Sequence, residues 1–229
     1  MNKKYIILSS IVILLFQTLV NGQKLEQDKV EQLTEVLNTR LADKFKVELN
    51  ENKALCQIDG LNKTLDLRDS YHIAEDNITE ASKTKLYKEP YGGPVFWKHN
   101  FQSATNSKVL FKATKSQKIF CKILFDAQAT IILNSQLNTY TGDHETSDAA
   151  LQEVRWTGEK YISLTLVPIH VNDKVTFDLR GISISGKFER DDKKTISKDY
   201  VKSLRNIFKR EFETLFESEE IASLITKLE

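Results

Sequence analysis

The chain has 229 residues, with 33 Lys and Arg against 32 Asp and Glu and a formal net charge of +1. So even a balance excludes broad electrostatic attraction to nucleic acid, which needs clustered excess positive charge. The length suits one large domain or two small ones, enough to bury a core.

The first element is Met-Asn-Lys-Lys followed by an apolar run from Tyr5 to Val20, the charged and hydrophobic regions of a secretory signal peptide. Val20 and Gly22 place small or aliphatic groups at the two positions a signal peptidase inspects, so cleavage after Gly22 is expected, with an uncleaved anchor as the alternative. Cleavage removes Lys3 and Lys4 and leaves 31 basic against 32 acidic side chains, a net charge of about −1. Residues 23–229 then form a single secreted or lumenal α+β domain, and no later segment is apolar enough to cross a membrane.

In this oxidising setting Cys56 and Cys121 most simply pair, contributing on the order of 4 kcal/mol by loop closure; two unpaired core thiols are the alternative. Asn62-Lys-Thr and Asn77-Ile-Thr match the glycosylation acceptor pattern.

From Asp28 and Glu31, a candidate capping box, the spacing of Val30, Leu33, Leu37, Leu41 and Phe45 predicts an amphipathic helix lying on another element. At Phe45 the period changes to two, and Val47, Leu49, Ala54, Cys56 and Ile58 predict a hairpin that Leu65-Asp-Leu67 extends. Residues 68–94 read as a polar surface excursion with a short helix near Ile78 to Leu86, ending on the turn signal Glu89-Pro-Tyr-Gly-Gly-Pro94.

Strands are then predicted at Val109 to Ala113, Ile119 to Phe125, Thr130 to Tyr140, Val154 to Trp156 and Tyr161 to Val167, with Pro168 ending the last. Apolar groups on both parities of Ile119 to Phe125 and Thr130 to Leu133 suggest strands covered on both sides. Residues 173–190 carry Val175, Phe177 and Leu179 on one parity, then Ile182, Ile184 and Phe188 on the other. Arg180-Gly181 is either a bulge in one long strand or a hairpin turn. A bulge fits better, because a two-residue turn prefers Asn-Gly or Asp-Gly and would force positive φ on Arg180. A strand so long implies a curved sheet wrapped on a helix. Ser197 caps the next helix, whose face is Tyr200, Val201, Leu204, Ile207, Phe208, Phe212, Leu215 and Phe216; Ser218 caps a last one with Ile221, Leu224, Ile225 and Leu228.

Catalytic patterns are lacking. His72, His99, His144 and His170 fall in different segments, none with zinc-protease spacing, and Gly142-Asp-His-Glu-Thr-Ser-Asp148 lacks the ligand alternation and central glycine of a calcium loop. Gly181-Ile-Ser-Ile-Ser-Gly186 lacks the register of a nucleophile elbow. No metal or cofactor is called for, and nothing motivates an enzyme.

The wide aromatic stripe of the long helix, beside a bent strand, leaves two possibilities: a core filled by its own side chains, or an apolar slot between sheet and helix. In its leader, size, early amphipathic helix, long bent strands, possible disulfide and closing helices the chain resembles a module of the tubular lipid-binding family of bactericidal/permeability-increasing and takeout-like proteins, as architecture. The resemblance implies a carrier of a hydrophobic small molecule or lipid, for which Ile184, Phe188, Leu204, Phe208 and Phe212 would line the slot. The second expectation is a secreted or surface glycoprotein with a protein partner at the cell surface, using Tyr91, Phe96 and Trp97 as its contact patch.

Overall fold

A computed structural model describes residues 23–50, 53–67, 95–102, 105–141, 144–147, 152–171, 173–190, 196 and 198–228. The leader, the 68–94 excursion with Asn77 and Tyr91, the Ser197 cap and the side chains of Phe96, Trp97 and the Gly142 to Asp148 fragment lie outside the described residues. The chain is α+β, with a large antiparallel sheet and C-terminal helices packed against it.

The elements are β1 (Gln23–Lys24), α1 (Gln27–Val36), β2 (Phe45–Asn50), β3 (Lys53–Ile58), β4 (Leu61–Leu65), β5 (Val95–Phe101), β6 (Ser107–Ala113), β7 (Ile119–Phe125), β8 (Ile131–Thr141), β9 (His144–Ser147), β10 (Gln152–Val171), β11 (Lys174–Arg190), α2 (Lys198–Phe216) and α3 (Glu219–Leu228). Strands β2, β3 and β4 make a small sheet; the other eight make the large one.

The hub of the large sheet is β10. Along one edge it pairs with β11; along the other it meets β8 at 152–156, β7 at 161–166 and β1 at 169–170. The two strands expected at Val154 to Trp156 and Tyr161 to Val167 are therefore one. Pro168 does not end it, contrary to expectation. Its carbonyl accepts from the Leu25 amide at 3.4 Å, so the Pro168 nitrogen, which points to the same side, faces away from β11 and no ladder bond is lost there.

The long strand β11 is continuous and bulged. Thr165 pairs with Gly181 and Leu166 with Leu179, leaving Arg180 without a cross-strand partner. That one extra residue lets Val175, Phe177 and Leu179 and then Ile182 and Ile184 all face the core. A second irregularity sets three β10 residues, Gly158, Glu159 and Lys160, against Gly186. The excess here is two, so parity is kept and Trp156 and Phe188 remain on the inner face, their rings stacked at 5.4 Å. Lys160 turns inward in this excursion, where Nζ donates to the carbonyls of Gly158 at 3.0 Å and Ala127 at 3.2 Å. Burial lowers its pKa, opposed by Asp126.

Helix α1 starts at Gln27 with Glu26 as N-cap, so the expected capping box does not form. Asp28 sits inside the first turn, where its charge suits the dipole, and Gln27 Nε2 donates to Glu31 instead. A π turn, Leu37–Leu41, continues the helix and keeps Val30, Leu33, Leu37 and Leu41 on the core. The β2–β3 hairpin forms as predicted, and Asp59-Gly60, both at positive φ, turns β3 into β4. Asn62 lies exposed just after that turn.

Helix α2 fills the space between the sheets. Phe45 of β2 reaches Phe216 at 6.0 Å and Phe111 at 6.4 Å, and Phe216 reaches Phe177 at 5.8 Å. Polar ties add direction: Arg210 donates to the Asp66 carbonyl at 2.7 Å while Glu211 accepts from the Asp66 amide at 3.2 Å. Ser218 caps α3 as expected, its hydroxyl accepting from the Ile221 amide. Arg40 closes the far end by donating to the Leu228 carbonyl at 2.8 Å, an orphan acceptor of the last turn.

Two further expectations are corrected. Strand β7 is covered on one side: Ile119, Cys121, Ile123 and Phe125 are buried, whereas Phe120 is 42% exposed. The Cys56–Cys121 disulfide is not formed. Both are free buried thiols behaving as small core hydrophobes on facing sheets, and burial pushes Cys56 up to about 12 and Cys121 well above its ordinary value.

Thiols so far from ionisation are expected to react with iodoacetamide at pH 8 at least about a thousandfold more slowly in the native protein than in urea, measured by mass spectrometry. Gly186 holds φ +120° beneath the Trp156 indole, whose Nε1 donates to the Ser185 carbonyl at 2.8 Å, and a Cβ would overlap that ring. Gly186→Ala is expected to cost about 2–4 kcal/mol in urea unfolding, and Gly60→Ala, with open space around it, clearly less.

Candidate contact surface on the open face of the sheet

The residues expected to line an internal slot are all placed. Leu204, Phe208 and Phe212 are fully buried, with Phe208 stacked on Phe212 at 6.2 Å and Phe212 against Phe216 at 6.4 Å. Ile184 and Phe188 are partly buried against the same core, Phe188 between Trp156 at 5.4 Å and Tyr200 at 6.4 Å. All five belong to, or pack against, one apolar core.

The titratable groups that converge in the interior hold the helix to the sheet. His99 of β5 sits between two hydroxyls: Nδ1 lies 2.8 Å from Ser135 Oγ on β8, and Nε2 lies 3.4 Å from Ser203 Oγ on α2. Ser135 Oγ is also 2.8 Å from the Tyr200 hydroxyl, and the His99 and Tyr200 rings meet edge to face at 4.9 Å. Burial lowers His99 to about 3 and raises Tyr200, the Ser135 bond partly opposing the latter, so both groups stay neutral. These bonds compensate the polar groups for lost water and fix the register of α2 on β5 and β8.

The opposite face of the large sheet is different. Registers place Lys108 beside Leu124, Tyr161 and Ser185; then Leu110 beside Lys122, Ser163 and Ser183; then Lys112 beside Phe120, Thr165 and Gly181. Leu110 is 55% exposed and Phe120 42%, diagonal neighbours on adjacent strands. Lys122 lies 3.9 Å over the Tyr161 ring and 3.0 Å from Glu159.

At the margin of this face the helix closes on the sheet edge. Asn38, in the π turn, donates from Nδ2 to the Phe111 carbonyl at 2.8 Å and accepts the Phe111 amide on Oδ1 at 2.9 Å. Its amide thus replaces a neighbouring strand. Between that contact and the sheet lies an open groove of ≈ 740 Å³ lined by Asn38, Asp43, Leu110, Lys112, Phe120 and Tyr161 among others. The sequence reading passed over this face because it took β7 to be covered on both sides. The available signal was that Leu110 and Phe120 share the parity of Lys108, Lys112 and Lys122.

Among the described residues no group of His, Cys, Asp and Glu is arranged to hold a metal ion, and no helix is long and apolar enough to cross a membrane. No protein-family model, curated protein or solved structure matches the chain.

A histidine whose folded pKa is depressed lends stability that is complete above its unfolded value near 6.5 and is lost as pH falls toward 3. By pH 5 the loss is expected to reach about 2 kcal/mol. Urea titrations between pH 7 and 4 check this, and His99→Gln should flatten that dependence while lowering stability at neutral pH.

Proposed function

We propose that this chain is a non-catalytic binding protein of the secretory pathway that makes contact through the open face of β6, β7 and β10, its core being filled by its own side chains. The observation that carries the reading is the pair Leu110 and Phe120, held in the open on rigid strands beside a groove of ≈ 740 Å³. Large apolar groups on neighbouring strands, with polar groups around them, are what a contact site exposes.

Three further features support it. The stacking of Phe208, Phe212 and Phe216 leaves the inner stripe satisfied by protein contacts. The buried histidine cluster is neutral and serves packing. The apolar leader from Tyr5 to Val20 and the exposed acceptor Asn62 suit export and glycosylation. The reading keeps the non-enzymatic binding role that the tubular lipid-binding resemblance implies, and moves the contact from an inner slot to the outer face.

Native mass spectrometry of protein made in a eukaryotic secretory host is expected to give the mass of the chain and its glycans without a retained lipid. The anionic dye anilinonaphthalene sulfonate should brighten on the native protein, and the Leu110→Ser, Phe120→Ser double variant should abolish most of that signal with its circular dichroism unchanged. A stoichiometric extractable lipid, or dye binding indifferent to both substitutions, would overturn the assignment.

A further inference from the structure

The hairpin β6–β7 differs from the rest of the chain in charge. Residues 107–125 contain Lys108, Lys112, Lys115, Lys118 and Lys122 and no acid, in a protein whose net charge is only +1. Of these, Lys122 meets Glu159; the other four make no ion pair among the described residues. Asp43 lies at the groove margin and Glu159 beside Lys122, and helix α1, with Asp28, Glu31 and Glu35, borders the hairpin where the Gln117 amide donates to Gln27 Oε1 at 3.1 Å.

Resting on the contact surface just described, we propose that its partner is an anionic lipid surface, against which the hairpin lies with Leu110 and Phe120 in the headgroup and upper acyl layer. Two requirements meet on the same strands. Unpaired ammonium groups call for anionic oxygens, and Leu110 and Phe120 call for a phase other than water. A bilayer interface supplies both at once: lysine stems lie along the apolar layer while their heads reach phosphate and carboxylate. An acidic polymer would neutralise the lysines and leave the leucine and phenylalanine wet. The strands also hold these groups at fixed spacing, so little side-chain order is lost on docking beyond that of the lysines.

The groove gives the site depth beyond a flat patch. Lys112, Lys122 and Ser163 offer donors within it, so one headgroup can seat between β6 and the π turn while its neighbours meet Lys108, Lys115 and Lys118.

The test is sedimentation of the full chain from a secretory host with vesicles of phosphatidylcholine alone or mixed with phosphatidylserine. Binding is expected only with the serine lipid and should weaken as salt is raised. Lys112→Gln should weaken it about fivefold, the effect of about 1 kcal/mol per lysine near a charged surface, while Lys202→Gln, at an exposed position of α2, should leave it unchanged. Phe120→Trp should show blue-shifted emission on binding, quenched by brominated acyl chains. Folded protein that ignores phosphatidylserine vesicles overturns the proposal. If that protein is nonetheless held on heparin through Lys112, the partner is an acidic macromolecule and the contact surface stands without the lipid. If Leu110→Ser and Phe120→Ser alter neither vesicle nor dye binding, both readings fall.

Discussion

Every inward side chain in the first half of β11 depends on Arg180 having no partner across the sheet. Side chains alternate with a period of two, so a regular ladder through this strand would bury either Val175, Phe177 and Leu179 or Ile182 and Ile184, and expose the other set. The single unpaired residue removes that conflict. Because β10 carries β11 on one edge and β8, β7 and β1 on the other, the same bulge aligns the apolar faces of most of the large sheet. Helix α2 then has one continuous surface to pack on, from Phe177 near its C-terminal end to Phe188 beside Tyr200.

The two faces of that sheet solve different problems. The inner face carries aromatic contacts and is given a direction by His99 with Ser135 and Ser203, while Arg210 and Glu211 tie α2 to the backbone of Asp66 beyond the small sheet. The outer face retains hydroxyls, lysines and two large apolar groups that nothing described covers. Its edge is finished by a side chain, the Asn38 amide on Phe111, which stops strand pairing there without occupying the face.

Much of the fold was legible where period and punctuation agreed. The parity change across Arg180-Gly181, with no Asn or Asp to make a tight turn, pointed correctly to a bulge, and Ser218 ahead of two glutamates marked a helix start. Misreadings arose where a local rule met a tertiary exception. Pro168 looked like a strand end, yet its missing donor points away from β11. Asp28 looked like a cap, yet the helix begins one residue before it. The site was the least legible part, because apolar groups on the outer parity of β7 read equally well as a second buried face. The lysines on that parity hinted at the open side, and the register, by setting Phe120 beside Lys112 and Leu110 beside Lys122, decides it. Asp59-Gly60, flanked by apolar residues, was a hairpin signal that went unused.

The two irregularities of the β10–β11 ribbon also bear on how this gene can change in length. Arg180 represents an odd excess and Gly158 to Lys160 an even one, and only the odd one reverses which side chains face inward. A codon gained or lost between Lys174 and Arg190 would invert everything beyond it, whereas a pair of codons would leave the alternation intact. A single inserted residue is tolerated there only where a bulge takes it up, as Arg180 does, and descendants of this sequence should keep the odd residue even where its identity as arginine is lost.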